Sequence, residues 1–351
     1  MPDSLHSEIL APTHSLVTRL LLGAVGCGAI AAAFALSSTT EHVTVIAPEV
    51  REEMRTEALV AMEPAQPVRS SELSLVFSAD GATYVKLADL DAADLPAHGP
   101  PRLVSGDFET AIAAVKTRDL PAEHHAWIDR RVRVDGACEA TVTGFAVVSR
   151  LVGDTGYAGV TDEHWTATSV LDLGSTVLAA RLDGCNGTFA RDAALPAVLV
   201  PAQLENAKLA TRARELLLAS APARNAQREW LELEQTGAWH ESEDATIKTI
   251  VVRHPTTGVT WVSAHGVVFQ GCGGPEINVW GLFRVQPDGT LAAAQLRDLG
   301  ELWSIDQLID IDGDGELEIV GKPWLGLDTV VTRASGEELE RLALAFFGCA
   351  C

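Results

Sequence analysis

The chain has 351 residues, of which 47% are hydrophobic, and it carries 26 Lys and Arg against 48 Asp and Glu, a net charge of −22. This composition excludes a wholly disordered chain, a collagen-like protein and a coiled coil, and the length is typical of about two domains. Because phosphate recognition needs basic patches, the acidic balance argues against nucleic acid as a partner, whereas it is compatible with cation binding.

The N-terminal region predicts a targeting or membrane segment. Residues 1–19 form a leader that ends at Arg19, and residues 20–36 carry no charge and would span about 25 Å as a helix. One interpretation is a single-pass anchor with the rest of the chain outside the cytoplasm, since the positive flank precedes the segment. The alternatives are a signal peptide cleaved near Ala35, which gives a secreted or periplasmic protein, lipidation at Cys27, or a buried helix. The membrane is therefore a predicted partner through residues 20–36.

Residues 37–101 are punctuated by proline and acidic side chains, and they predict a linker that carries the folded part away from the membrane. Within this linker, two apolar runs flank Asp80-Gly81, a dipeptide that is typical of tight turns. We therefore expect a hairpin over residues 72–87.

After the linker, the pattern predicts two small β-rich parts joined by helices. Residues 102–200 contain several strand-like runs, although the spacing of apolar residues over 108–115 predicts a helix there. Residues 203–235 predict a helical connector, because their first half places its apolar side chains on one face.

Residues 240–351 return to strand-like runs, separated by turns such as His254-Pro255. No repeat with the period of a propeller blade is evident. The predicted fold class is therefore mainly β (α+β), sandwich-like rather than a full propeller.

The cysteine positions predict disulfides and an oxidising compartment. Cys138 and Cys185 each follow an Asp-Gly turn after a strand-like run, and such pairs are typical of exported proteins. Cys272 is the candidate partner of Cys349 or Cys351. Because Cys349 and Cys351 lie two positions apart at the end of the chain, a redox-active thiol pair is an alternative to a frayed tail.

The strongest motif is D-x-D-G-D-G-x-x-E over residues 310–318, between two apolar runs. Calcium takes roughly six to eight oxygen ligands, and carboxylates at alternating positions can converge on it. Such close carboxylates repel one another unless a cation neutralises them. The sequence therefore predicts one Ca²⁺ here, and the alternative is a solvated acidic turn. The predicted ligands are Asp310, Asp312, Asp314, the carbonyl oxygen of Glu316 and the carboxylate of Glu318.

This loop resembles the calcium loop of FG-GAP/VCBS-type repeats, which occur in integrin-like propellers and in many bacterial surface proteins. The resemblance is confined to the segment around residues 303–323, and it implies the same ligand set, with Glu318 where that family often has Asp. An EF-hand is excluded, because position 12 is Gly321 and the flanking runs are β-like. Since the chain has the loop once rather than once per blade, we expect it to stabilise one hairpin of a smaller β domain.

Three hypotheses of function follow. The first is a non-enzymatic binding or structural module of the cell envelope, with a calcium-stabilised loop and an unidentified protein or glycan ligand. The second is an envelope hydrolase or glycan-processing enzyme, in which carboxylates or His124 and His125 would meet in a cleft. The third is a periplasmic thiol protein that uses Cys349 and Cys351. The sequence assigns no catalytic residue and no cofactor besides Ca²⁺.

Overall fold

Strands make up most of the regular structure in the computed structural model, which describes residues 73–105, 109–151, 165–270, 276–300, 302–323 and 329–343. The first eight strands are β1 (Leu73–Ala79), β2 (Ala82–Leu90), β3 (Arg102–Val104), β4 (Glu109–Val115), β5 (Arg131–Val134), β6 (Cys138–Leu151), β7 (Ser175–Asp183) and β8 (Phe189–Asp192). The following strands are β9 (Ala202–Leu204), β10 (Thr246–Arg253), β11 (Thr260–Phe269), β12 (Glu276–Val285), β13 (Leu291–Asp298), β14 (Leu302–Ile309), β15 (Glu318–Pro323), β16 (Thr329–Arg333) and β17 (Glu338–Leu342). The α-helices are α1 (Ala167–Leu173), α2 (Ala207–Leu218) and α3 (Ala221–Glu232).

Strands β1 to β8 form one antiparallel sheet in the order β3-β4-β6-β5-β8-β1-β2-β7. The long strand β6 pairs with β4 and β5 and additionally with β7. The sheet therefore curls, and one of its faces surrounds a core of aliphatic side chains that includes Val85, Val147 and Leu178.

The remaining strands form two smaller antiparallel sheets, a five-stranded one in the order β13-β12-β11-β10-β9 and a four-stranded one in the order β14-β15-β16-β17. Successive residues of the four-stranded sheet point to opposite faces, and both faces are buried. The core that it shares with the five-stranded sheet contains Leu308, Ile319 and Val330. The core that it shares with the eight-stranded sheet contains their neighbours Ile309, Val320 and Val331. The four-stranded sheet thus packs between the other two in a sandwich-like arrangement.

Helices α2 and α3 cover the other face of the five-stranded sheet. Each begins at a polar capping side chain: Asn206 accepts the amide of Leu209, and Ser220 accepts the amide of Ala223. Such caps satisfy amides that have no partner within the helix. The buried faces of both helices pack with Trp239 onto strands β10, β11 and β12. The predicted connector over 203–235 therefore forms an outer layer of the second half of the fold.

Residues 37–72 of the predicted linker lie outside the described residues, whereas residues 73–101 belong to the fold. β1 and β2 pair across Asp80-Gly81, at the position where the sequence predicted a hairpin over 72–87. This hairpin lies inside the eight-stranded sheet, because β1 also pairs with β8 and β2 also pairs with β7. Because β1 and β2 pair with neighbouring strands on both sides, they are part of the fold and not of a linker.

The predicted division into β-rich parts at 102–200 and 240–351 also differs from the structure. The described residues, which begin at Leu73, all belong to one compact unit. The physical reason is the four-stranded sheet, which buries one face against each of the larger sheets and so leaves no boundary between them.

The helix predicted over 108–115 is wrong, because residues 109–115 form strand β4, which pairs with β3 and β6. Ala111 and Val115 pack into one core, and Ile112 packs into the core on the opposite face. A strand buried on both faces reads as a continuous apolar run, which periodicity alone does not distinguish from a buried helix.

The predicted disulfide between Cys138 and Cys185 is confirmed, with 6.1 Å between their Cα atoms. It joins the start of β6 to the residue that follows the end of β7 by two positions. The leader over 1–19, the apolar segment over 20–36, and Cys272, Cys349 and Cys351 lie outside the described residues. Among the residues that are described, none of the helices is long and apolar enough to cross a bilayer.

Candidate metal centre

The acidic loop lies between two neighbouring strands of the four-stranded sheet. Asp310 directly follows β14, and Glu318 is the first residue of β15, so the antiparallel pairing of these strands fixes both ends of the loop. Between them, Gly313 has φ of 80° and Gly315 has φ of 88°. These left-handed conformations favour glycine, and they allow the loop to turn within a few residues.

Three aspartates meet in this loop. One carboxylate oxygen from each of Asp310, Asp312 and Asp314 lies within 4.8 Å of the others. Their exposure is graded, from Asp310, which is fully buried, through Asp312 to the exposed Asp314. Burial raises the pKa of the Asp312 carboxyl, and the charges of Asp314 and Asp310 add to that rise. The cluster is therefore electrostatically unfavourable without a cation.

Asp310 is the most firmly held of the three. Its Oδ1 accepts the amide of Gly313 at 2.7 Å, and its Oδ2 accepts the amide of Gly315 at 3.0 Å. In addition, Oδ2 lies 2.8 Å from Nε2 of His254, a contact in which both side chains are fully buried. The hydrogen bonds leave this carboxylate little rotational freedom.

His254 comes from the turn between β10 and β11 and was not singled out by the sequence, where His254-Pro255 only indicated a turn. Its Nδ1 accepts the amides of Thr256 and Thr257 at 3.3 and 3.1 Å. Since an accepting ring nitrogen carries no proton, Nε2 bears the proton and donates to Asp310. No local signal could have found this residue, because its partner lies 56 positions further along the chain.

The loop is also tied to the eight-stranded sheet. The backbone of Asp310 exchanges two hydrogen bonds with Leu199, at 2.8 and 2.9 Å. The carbonyl oxygen of Ile311 accepts Nη1 of Arg191, a buried residue of β8, at 2.7 Å. Residues from all three sheets or from their turns therefore contact the acidic loop. The sequence had predicted that the loop stabilises a single hairpin.

Glu318 is 4% exposed, and its Oε2 accepts the amide of Ile311 at 3.0 Å. Burial raises the pKa of Glu318 to about 7, and the charges of Asp312, Asp310 and Asp314 add to the rise, against the hydrogen bond from Ile311. Glu318 is not a member of the group of three converging oxygens.

One carboxylate oxygen of the loop, Oδ1 of Asp312, is buried and has no hydrogen-bond partner among the residues that the structure describes. A buried carboxylate oxygen without a donor is costly, because the protein then supplies nothing in place of water. A bound cation would supply the missing partner.

The predicted carbonyl ligand, Glu316, lies on the exposed side of the loop, and its amide donates to Oδ1 of Asp314 at 2.7 Å. The whole set offers oxygen atoms only, which suits a hard cation of the calcium or magnesium type and not a thiolate-binding metal. The residues present therefore fit the predicted Ca²⁺.

The candidates His124 and His125 are not members of the acidic group. His124 and His125 lie in a short 3₁₀ turn, where Nε2 of His125 contacts the carbonyl oxygen of Leu120 at 2.9 Å.

Comparisons of the chain with known protein families, with curated proteins and with solved structures found no match. The resemblance of the loop to FG-GAP/VCBS-type repeats stays a prediction.

Proposed function

We propose that this chain is an extracytoplasmic binding or structural module in which the loop over residues 310–318 holds one Ca²⁺. The observation that carries the proposal is the convergence of three aspartate oxygens within 4.8 Å, together with a buried Oδ1 of Asp312 that has no hydrogen-bond donor among the described residues. The cation neutralises the cluster at the place where the three sheets meet, so calcium stabilises the whole fold.

The extracytoplasmic location rests on the disulfide between Cys138 and Cys185, because such bonds persist in oxidising compartments. In this proposal the apolar segment over residues 20–36 tethers the module to the cell envelope or directs its export. The ligand is an unidentified protein or glycan. The hydrolase and thiol-protein hypotheses stay predictions, and no described contact favours either of them.

The test is a calorimetric titration of Ca²⁺ into the metal-free full chain, with a melting curve at each end of the titration. We expect about one equivalent to bind and the folded state to gain about 2.7 kcal/mol when free calcium is 100 times the dissociation constant. A wild-type chain that shows neither heat nor a raised melting temperature would refute the proposal.

The matched variants are Asp312→Asn and Asp288→Asn, which remove the same charge. Asp312 contributes to the cluster, whereas Asp288 lies in the exposed turn between β12 and β13, where it accepts the amide of Thr290. Asp312→Asn should abolish the stabilisation by calcium, since it removes a charged ligand, and Asp288→Asn should leave it intact. Equal calcium responses of the two variants would contradict the assignment of the site.

A further inference from the structure

We propose that His254 is a positioning residue of this metal centre: it holds Asp310 so that Oδ1, and not Oδ2, is presented to the cation. The inference rests on the proposed calcium site and adds a residue from the turn between β10 and β11, which the loop motif does not contain. It makes the five-stranded sheet part of the metal centre.

The hydrogen bonds of Asp310 decide which oxygen is available. Each carboxylate oxygen has two lone pairs that can accept. Oδ2 uses both, one for the amide of Gly315 and one for Nε2 of His254. Oδ1 accepts only the amide of Gly313 among the described groups, so one lone pair remains for a cation. Without His254, one lone pair of Oδ2 would also be free, and the carboxylate would be held by the amides of Gly313 and Gly315 alone.

The ring of His254 is itself fixed from both sides. The side chain is fully buried, and the amides of Thr256 and Thr257 donate to Nδ1. The methyl group of Thr257 also faces Gly315, where an added Cβ would lie 3.3 Å from it. The turn after β10 therefore packs directly on the loop, and its geometry is transmitted to Asp310 through one hydrogen bond.

The two sides of the ring can be tested separately with matched variants. The amide nitrogen of glutamine can replace Nε2 of histidine, so His254→Gln keeps a donor to Asp310 and loses the acceptor for the turn. The side-chain oxygen of asparagine can replace Nδ1, so His254→Asn keeps the acceptor for Thr256 and Thr257 and loses the donor to Asp310. Both variants remove the ring, so a difference between them reports the hydrogen bond.

The experiment is a calcium titration of the full chain for wild type, His254→Gln and His254→Asn, with a melting curve of each metal-free protein. Loss of a group that orients a metal ligand typically costs about 10-fold to 100-fold in affinity, and we expect that loss for His254→Asn. His254→Gln should bind within about 3-fold of wild type, because the donor to Asp310 is retained. The melting temperatures of the two metal-free variants should not follow this order.

Several results would overturn the inference. If wild type binds calcium and both variants bind equally well, or are weakened equally, His254 only fills space, and the proposed function still stands. If wild type binds no calcium, the proposed function is refuted, and the inference that rests on it is refuted with it. If His254→Asn does not fold, the role of His254 is tested on wild type by the ¹⁵N resonances of its ring. Calcium should shift the resonance of Nε2 while Nε2 keeps its proton. A resonance that calcium leaves unchanged would refute the role.

Discussion

A second buried histidine, His265, takes part in a chain of side-chain hydrogen bonds that joins three strands. Nε2 of His265 in β11 lies 2.7 Å from Oδ1 of Asn278 in β12. The amide group of Asn278 in turn donates to the carbonyl oxygens of Gly300 and Leu302, both at 2.8 Å. Burial lowers the pKa of His265, and the hydrogen bond to Asn278 opposes that effect. The folded protein therefore keeps this ring neutral at a pH where the unfolded chain takes up a proton.

We predict that His265 makes the fold sensitive to mild acid. The contribution of His265 to the free energy of unfolding is complete above the ordinary histidine pKa of about 6.5. This contribution is lost as pH falls from there toward the lower pKa of the folded state, by up to about 1.4 kcal/mol per pH unit. Urea unfolding between about pH 5 and about pH 8 measures this slope.

The matched variants for this prediction are His265→Gln and His98→Gln. The first keeps a donor to Asn278 and cannot titrate, so its unfolding free energy should depend less on pH than that of wild type. The second removes an exposed histidine and should keep the wild-type slope. A slope that is equal in all three proteins would contradict the role of His265.

At the scale of elements, the β14–β15 hairpin shows why this loop is not an EF-hand. Gly321, at position 12 of the motif, pairs with Ile305 in a stretch where the register of the two strands shifts. A Cβ at this position would collide with the carbonyl oxygen of Ser304. The bidentate Glu that an EF-hand carries at position 12 is therefore sterically excluded here.

We predict that Gly321→Ala destabilises the protein by about 1 to 3 kcal/mol, because the methyl group forces β14 and β15 apart. Gly144→Ala is the control, since Gly144 also lies in a strand and no atom is within 4 Å of the added Cβ. Urea unfolding of both variants measures the difference. An unfolding free energy of Gly321→Ala as high as that of the control would contradict the prediction, because it would show that the hairpin accommodates the methyl group without loss of stability.

At the scale of the whole molecule, the acidic loop and the disulfide hold different parts of the fold. The loop is contacted by His254 of the five-stranded side and by Arg191 of the eight-stranded sheet, while it belongs to the four-stranded sheet. The disulfide acts within the eight-stranded sheet alone, where it closes a loop with a sequence separation of 47. Calcium and the disulfide should therefore stabilise the protein independently.

We predict that replacing Cys138 and Cys185 together by alanine lowers the free energy of unfolding by about 4 kcal/mol, from the entropy of closing a loop of this length. A reductant should lower the free energy of unfolding of wild type and leave that of the double variant unchanged. This comparison distinguishes the effect of the Cys138–Cys185 disulfide from any effect of the other cysteines. The calcium response of the double variant should equal that of wild type. A reductant that affects both proteins equally would contradict the prediction.

The sequence alone determined the features that depend on a few neighbouring residues. The Asp-Gly turn at Asp80-Gly81, the helix-forming segment over 203–235 and the grouping of Asp310, Asp312 and Asp314 are local, because turn geometry and two-residue spacing decide them. The pairing of Cys138 with Cys185 was also predicted, since both follow turns that end strand-like runs.

Features that depend on distant partners follow from the packing of the folded chain. Strand β4 could not be told from a helix, because its burial on both faces comes from layers elsewhere in the chain. His254 could not be found, because its partner Asp310 lies 56 residues away. Arg191 likewise meets Ile311 at a separation of 120. Packing brings such residues together, and no spacing in the sequence encodes it.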